Sequence, residues 1–426
     1  MKVFRLRDFR LLWIGEAISG LGDQFALIAL PWLALVMTGS GFALGSVLAV
    51  MAVPRAVLMV VGGAYTDRLS PRRVMLLSNA VRFVAVSILG VAVVAGAAQL
   101  WMLYVFALVF GIADAFFFPA VTAVVPVLVP GEQLGQANAA VQGTGQLTVF
   151  IGPALAGVLI AVFGASAAGQ PSTQGIGIAL LIDALSFVVS IVTLWLIRGG
   201  TARAEEVAAS VIVQIREGIS FVARWPSMRL IVFLSMAANF LIVGPFEVGM
   251  PALAYSRLPE GAAAFGLMTS AFGLGSLVGL GAAAALPKPR PGLFGTVALS
   301  VIAIAGLLLT LMALVYSTLP ALGITLLIGI SLGYSNLLTL TWVQRRVPAT
   351  LMGRVMSLMM LGSLGLVPVS MVIAGLFVQV NLSALFALGG LGTAVLAFGS
   401  LVSHSIRDMG REPVVDPDAA PAAATA

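Results

Sequence analysis

Apolar runs of roughly twenty residues alternate along this chain with short polar, Gly or Pro-rich breaks. A helix needs about 20 mostly apolar residues to cross the hydrocarbon core of a bilayer. Twelve runs meet that requirement: 11–37, 42–64, 74–96, 101–127, 136–164, 176–197, 228–251, 265–286, 293–316, 320–343, 352–379 and 384–403. The break between the sixth and seventh is the longest, 198–227. There Glu205, Glu206, Arg216, Glu217 and Arg224 alternate with Ile212, Ile215, Ile219 and Phe221-Val222, a spacing that reads as an amphipathic helix on the membrane surface. The chain therefore divides into a first six-helix bundle at 1–197, a linker at 198–227, a second six-helix bundle at 228–405 and a tail at 406–426. The tail is rich in Ala, Pro and Asp and reads as disordered.

The halves also resemble each other. An offset of 218 residues sets Val129-Pro130 on Val347-Pro348, Gly135 on Gly353, and Ala156-Gly157 on Ala374-Gly375. All these identities fall at matching places in the fourth-to-fifth and tenth-to-eleventh runs. Two duplicated six-helix halves are the plan of an alternating-access transporter.

Composition narrows the class. Of 426 residues 60% are hydrophobic and only 9% charged, against about 25% charged in a soluble domain. Mean hydropathy is +1.11. A soluble enzyme, a nucleic-acid binder and a disordered scaffold are all disfavoured. There is no Cys and a single His, His404. Thiolate chemistry, Cys-ligated metals, a Ser-His-Asp triad in the apolar body and multi-His metal sites are thus excluded. No phosphate-binding loop of the Gly-x-x-x-x-Gly-Lys-Ser/Thr type is present, which argues against ATP drive within this chain. No cofactor is expected; an ion gradient is.

The net charge of +6 follows topology. With the N-terminus inside, 19 of the 22 Lys and Arg residues lie on inner segments, Arg257 alone on an outer loop, and Arg55 and Arg82 within spans. The positive-inside rule then places both termini in the cytoplasm of a cell (plasma or inner) membrane protein. The basic start and first apolar run imitate a signal peptide, but Glu16 and Asp23 interrupt the run, so it reads as a retained first helix.

Ionisable residues deep in spans are costly and mark function. At about 1.5 Å per residue, Asp23 lies about 18 Å into the first span, and Arg55 and Asp114 about 20 Å into the second and fourth. All three fall near the midplane. Glu16, seven residues before Asp23 and on nearly the same helix face, is shallower, as is Arg82; these two read as a structural pair. Asp183 and Glu247 are placed in the outer half, Asp183 as a packing contact. A dry, unpaired carboxylate holds a proton more readily and a nearby cation reverses this. Asp23 or Asp114 could then carry a coupling proton with Arg55 as a movable partner. The alternative is a fixed ion pair that specifies helix packing.

A family becomes visible after the second span, in Gly63-Gly-Ala-Tyr-Thr-Asp67-Arg68-Leu-Ser-Pro-Arg72-Arg73. A Gly, three residues, Asp-Arg and a basic cluster resemble the cytoplasmic signature of the major facilitator superfamily, with Ser70 where many members have Gly. The equivalent second-half loop, 286–292, lacks the acid. Leu21-Gly-Asp23, Pro31-Trp32, Asp114-Ala-Phe-Phe-Phe-Pro119, Asp183-Ala-Leu-Ser-Phe187 and Gly353-Arg354-Val355 look like the drug-efflux branch that includes macrolide exporters and the enterobactin exporter. The Gly152-Pro153-Ala-Leu-Ala-Gly157 stretch looks like the antiporter signature. The resemblance implies an all-α integral membrane fold of twelve helices in two bundles. It implies a gating latch of Gly63, Asp67, Arg68, Arg72 and Arg73 closing near Gly353, with Gly152, Pro153 and Gly157 shaping the fifth span. It also implies that spans one, four, seven and ten line a central cavity, bringing in Asn239, Glu247, Tyr334, Asn336 and Trp342, with Phe116, Phe117 and Phe118 beside Asp114. The function so implied is export of small amphipathic organic molecules, by proton antiport and as a monomer. Partners would be the cargo, protons and the lipid bilayer, without nucleic acid. Siderophore or lipid-like cargo on the same fold is the alternative. An intramembrane enzyme ranks lower, because there is no His or Cys cluster and the acids are scattered over five spans; a non-transporting sensor ranks lower because it would require loss of coupling.

Overall fold

The computed structural model describes residues 2–68, 70–164, 173–199, 220, 226–287, 289–290, 293–347 and 349–401; the side chains of 59–68, 226–227, 349–351, 353–354, 357 and 361 lie outside that description. The amphipathic helix expected at 198–227 falls almost wholly outside the described residues, and the tail at 406–426 wholly so.

Among the described residues all regular structure is helical, and twelve segments are long and apolar enough to cross a membrane. The first six spans are single helices: α1 (Arg7–Thr38), α2 (Gly41–Arg68), α3 (Pro71–Val94), α4 (Leu100–Leu128), α5 (Leu134–Gly164) and α6 (Gln174–Leu196). The seventh span is α7 (Pro226–Gly244), a π-helical turn (Pro245–Gly249) and α8 (Met250–Arg257). Then follow α9 (Ala262–Ala285), α10 (Phe294–Leu311) and α11 (Thr318–Arg346). The eleventh span is α12 (Ala349–Gly365) with α13 (Val367–Val380), and the twelfth is α14 (Leu382–Ser400). Both two-part spans carry a proline at the break, Pro245 and Pro368. Proline lacks the N–H that would continue the ladder.

The spans pack as two bundles. In the first, α1 lies on α5 and α6, and α4 on α2 and α3; in the second, α11 lies on α9 and α10, and α14 on α7 and α10. The bundles meet along two seams, α5 against α9 and α13 against α2. Both seams are built on glycine. A Cβ at Gly157 would stand 2.9 Å from the Cα of Gly266, and one at Gly375 would stand 2.6 Å from the Gly41 carbonyl oxygen and 3.2 Å from the Phe42 Cα. Only residues without a side chain allow backbones this close. Gly157 and Gly375 are the pair that the 218-residue offset superposes. The repeat seen in the sequence is thus a two-fold relation between the two seams.

The apolar core differs between the ends of the molecule. At the end bearing the α1–α2 turn, one cluster joins Leu30, Leu33 and Leu44 of the first bundle to Leu253, Leu258 and Phe265 of the second. There the Trp32 and Tyr255 rings meet edge to face at 5.7 Å. Gly261, at φ 54°, lays its backbone beside Trp32; a Cβ there would stand 3.3 Å from the ring. At the opposite, arginine-rich end the core is split. Phe9, Leu12, Met75 and Val124 form a cluster within the first bundle, and Met228, Trp342, Val343 and Val355 form a separate one within the second. Among the described residues the bundles are joined at one end and parted at the arginine-rich end.

Candidate transport site

A knot of charge lies in the first bundle. Arg82, at the middle of α3, hydrogen-bonds through Nη2 to Oδ1 of Asp114, at the middle of α4. Its Nη1 lies 4.0 Å from Oδ2 of Asp23 on α1. Asp114 Oδ2 in turn lies 3.9 Å from Nη1 of Arg55 on α2. The Arg82 side chain is 1% exposed, against 34% for Asp23 and 38% for Arg55. So the cluster has a sealed centre, Arg82 with Asp114, and two partly exposed arms, Asp23 and Arg55.

The sequence expectation that Asp23, Arg55 and Asp114 share one depth agrees with this geometry, but Arg82 corrects it. Arg82 does not sit shallow and does not pair with Glu16; it is the hub. The reason lies at the start of α3. Pro71 takes the first helical position, for which its fixed φ suits it, and Arg72 and Arg73 belong to the first turn rather than to a loop. That puts Arg82 about 17 Å into the helix at 1.5 Å per residue. Asp183 is corrected too. It is fully buried near the middle of α6, within electrostatic reach of Asp23, Arg82 and Asp114, and Gly22 of α1 packs against it. Glu16 lies within reach of Asp23 and Arg82. One carboxyl oxygen each of Glu16, Asp23 and Asp183 is buried with no hydrogen-bonding partner. Four carboxyls therefore surround two guanidiniums.

Aromatic rings hold the two cations. The Arg82 guanidinium lies 4.2 Å from the Phe117 ring centroid, with Phe110 and Phe187 at 5.2 and 5.8 Å. Arg55 lies 4.6 Å from the Phe118 centroid. Such contacts are favourable when the cation is desolvated. In the triple-Phe motif, Phe117 and Phe118 thus clamp arginines beside Asp114.

Glu247 and Asn239 share a different place. The π turn carries Glu247 to the wall of a cavity of about 280 Å³ between the seventh, eighth and tenth spans, where Asn239 also lies. The Asn239 amide donates to the Ser235 carbonyl at 2.8 Å. Ser370 of α13 splices into the break in the seventh span: it accepts the Gly244 N–H at 3.0 Å and donates to the Phe240 carbonyl. The tenth-span candidates do not converge here. Tyr334 is half-buried, Asn336 is exposed, and Trp342 packs in the core of the second bundle at the arginine-rich end.

The side chains of Gly63, Asp67 and Arg68, like Gly353, lie outside the described ones. Arg73 is exposed. Arg72 donates to the carbonyls of Leu194 and Trp195, both at 2.7 Å, and so ties α3 to the C-terminal end of α6, a favourable place for a cation. The 152–157 stretch faces α1 and α9. Gly152 packs on Gln24, the Ala154 N–H donates to Ser270 at 2.8 Å, and Gly157 meets Gly266. It forms the seam between bundles and does not line the charged cluster. Among the described residues no His, Cys, Asp or Glu group could hold a metal ion.

The family model described as Major Facilitator Superfamily matches residues 12–368. The chain belongs to the major facilitator superfamily. Twelve segments long and apolar enough to cross a membrane, among the described residues, agree with that membership. Macrolide efflux protein A of Streptococcus pyogenes is 26% identical over 190 residues, covering 45% of this chain and 44% of the relative. Multidrug efflux pump Tap of Mycolicibacterium fortuitum is 26% identical over 246 residues, covering 56% and 57%. The chain thus spans about half the length of the curated relatives it matches. Among solved structures, a mutant form of the nucleoside transporter NupG superposes with a TM-score of 0.73 at 11% identity, covering 92% of this chain and 99% of that one. A bacterial homologue of the iron transporter ferroportin, in an inward-facing state, gives 0.70 at 19% identity, covering 93% and 99%. These superpositions show the twelve-helix fold that this facilitator shares.

Proposed function

We propose that this facilitator exports small amphipathic, drug-like organic molecules across the cell membrane by exchange for protons. The observation that carries the reading is the mid-membrane cluster, in which four carboxyls face two guanidiniums. An uncompensated buried anion is expensive, and a proton is a natural compensating charge for the carboxyls that the two guanidiniums leave without a partner. Asp23 suits the carrier role best: it is partly exposed, and its ion-pair partner among the described residues, Arg82, is 4.0 Å away. Asp114, held by both arginines, is better suited to fix the hub. The drug-efflux relatives support the cargo class. The distribution of Lys and Arg supports a cytoplasmic arginine-rich end, and on that reading the parted cleft opens inward.

The cycle follows from these roles. Asp23 takes up a proton when the cleft faces outward, and cargo leaves. The bundles then rock about the glycine seams. Asp23 releases the proton to the inside and returns toward Arg82, and cargo enters from the inner leaflet or cytoplasm. The test is purified protein in liposomes under an imposed pH gradient, with a panel of drugs and siderophores. Wild-type protein should move at least one amphipathic drug with the gradient. Asp23→Asn should lose gradient-driven uptake and keep cargo exchange at zero gradient. Unchanged gradient-driven uptake in Asp23→Asn and Asp114→Asn alike would sink the coupling role. Movement of siderophores alone would redirect the cargo class.

A further inference from the structure

The cavity beside Glu247 occupies, in the second bundle, the place that the ion cluster occupies in the first. Matching helix starts shows this. With Arg7 set on Pro226, Asp23 falls on Ile242; with Leu100 set on Thr318, Asp114 falls on Leu332. Ile242 and Leu332 both line the cavity. Duplication has therefore left two equivalent mid-membrane positions, one packed with charge and one hollow and apolar. The hollow one is walled by Ile242, Leu332 and two aromatic rings, Phe246 and Phe272, whose centroids lie 4.5 Å apart at 53°. Among the described residues its charged wall residue is Glu247.

Glu247 stands apart from the other acids. It makes no ion pair or hydrogen bond among the described residues. Neither of its carboxyl oxygens is among the sealed, unpartnered atoms that mark Glu16, Asp23 and Asp183. The charged group within its electrostatic reach is Arg55 of the opposite bundle, and Arg55 is already engaged by Asp114 and Phe118. A carboxylate in the wall of a pocket otherwise lined mostly by aliphatic and aromatic groups is complementary to an organic cation. The carboxylate supplies the counter-charge, and the ring faces supply cation–π and dispersion attraction. The volume is that of a headgroup, near the lower bound of ordinary ligand pockets, roughly 300–1,000 Å³.

We infer that this pocket seats the monocationic head of the cargo, a protonated or quaternary amine joined to an apolar ring, with Glu247 as its counter-ion. The inference deepens the exporter reading and rests on it for the word cargo. It separates the labour of the bundles: the first handles the proton, the second the organic cation. Arg55 faces both sites. A cation at Glu247 offsets the carboxylate's pull on Arg55 and leaves that arginine to Asp114.

The experiment measures binding, so it does not depend on transport. Full-length protein in detergent is titrated with ethidium, a cationic fluorescent ring system, and with N-phenyl-1-naphthylamine, an uncharged one. Glu247→Gln, which keeps the shape, should weaken ethidium at least tenfold and change the neutral probe less than twofold. Glu247→Asp should fall between. Phe272→Ala should weaken both probes. Should Glu247→Gln fail to fold, Ile242→Trp, which fills the pocket from one wall, should block ethidium in a chain with its carboxylate intact. Equal ethidium affinity in wild type and Glu247→Gln, or in wild type and Ile242→Trp, overturns the site, as does a wild-type protein that binds no ethidium. The outcomes separate the two readings. Gradient-driven flux of the neutral probe with Glu247-independent ethidium binding would leave the exporter and remove the pocket. Glu247-dependent binding with no flux of any solute would do the reverse.

Discussion

The two bundles share one scaffold and differ at its centre. Matched by helix start, Asp23, Arg55, Arg82 and Asp114 of the first bundle correspond to Ile242, Ser276, Ala305 and Leu332 of the second. Four charges on one side face none on the other. The scaffold itself is alike in kind: the Gly157 seam and its twin at Gly375 bring backbones together in the same way. The comparison teaches that close helix approach and central charge are separable. Glycine seams bring the backbones of the two bundles into contact, and they occur twice. Among the described residues the charged hub occurs once, in the first bundle.

The sharpest way to break this comparison is to make the first bundle resemble the second at its hub. Arg82→Met removes the sealed cation and leaves Asp114 and Asp23 facing each other. Breaking a buried pair from one side costs about 3–5 kcal/mol, and the variant should show it as a large loss of thermal stability in detergent. Arg82→Met combined with Asp114→Asn should recover much of that loss, because both ends of the pair are then neutral. Losses that simply add in the double variant would show that Arg82 is a packing residue, and the contrast between bundles would lose its electrostatic meaning.

Asp23→Asn probes the arm rather than the hub. Its carboxyl is part exposed and only loosely held, so unfolding should shift by less than about 1 kcal/mol. Proton-driven transport should fall about a hundredfold, which corresponds to about 2.7 kcal/mol in the barrier. The pair of measurements sets the two residues against each other: Arg82 moves stability most, Asp23 moves coupling most. An Asp23→Asn chain as unstable as Arg82→Met would merge hub and arm into one structural knot.

How much of this is legible without the fold depends on what each feature requires. The twelve spans and the duplication are readable, because hydrophobic length and a fixed offset are properties of one chain direction. The depth of Asp23, Arg55 and Asp114 is readable too, by counting from helix ends. Arg82 is misplaced when its span is started at Val74, after the arginines, because the helix begins at Pro71. Three residues of offset, about 4.5 Å at 1.5 Å per residue, move it to the middle of its helix. Asp183 illustrates a deeper limit. The sequence places it in the outer half, whereas it lies near the middle of α6; and which acid faces which arginine depends on helix rotation and packing, which spacing along one helix does not carry. The Glu247 pocket is hidden for the same reason, compounded by the π turn at Pro245, which re-aims the side chain by inserting a residue into the helix.

The seams offer a matched test. Gly157→Val and Gly375→Val each force a side chain against a neighbouring backbone, and overpacking of this kind costs about 1–3 kcal/mol. Because the seams are related by the repeat, the two variants should lose similar stability and similar transport. Their joint effect should be close to additive, since the sites lie in separate contacts. A Gly157 variant that stops transport beside a silent Gly375 variant would show that the 152–157 stretch has a role of its own, beyond serving as one of two equivalent bearings.

The smallest effect is expected where the second bundle has lost what the first has kept. Ser276 takes the place of Arg55. Ser276→Ala removes one hydroxyl from a half-buried position and should change stability by less than about 0.5 kcal/mol, with proton-driven transport at the wild-type rate. Arg55→Ala at the matching position should uncouple cargo movement from the gradient, because it deletes the cation that faces Asp114 on one side and Glu247 on the other. What decides is the difference within this pair. Two silent variants would mean that Arg55 is as dispensable as the serine that stands in its place. Two damaging ones would mean that this position matters for helix contact in both bundles, whatever charge it carries.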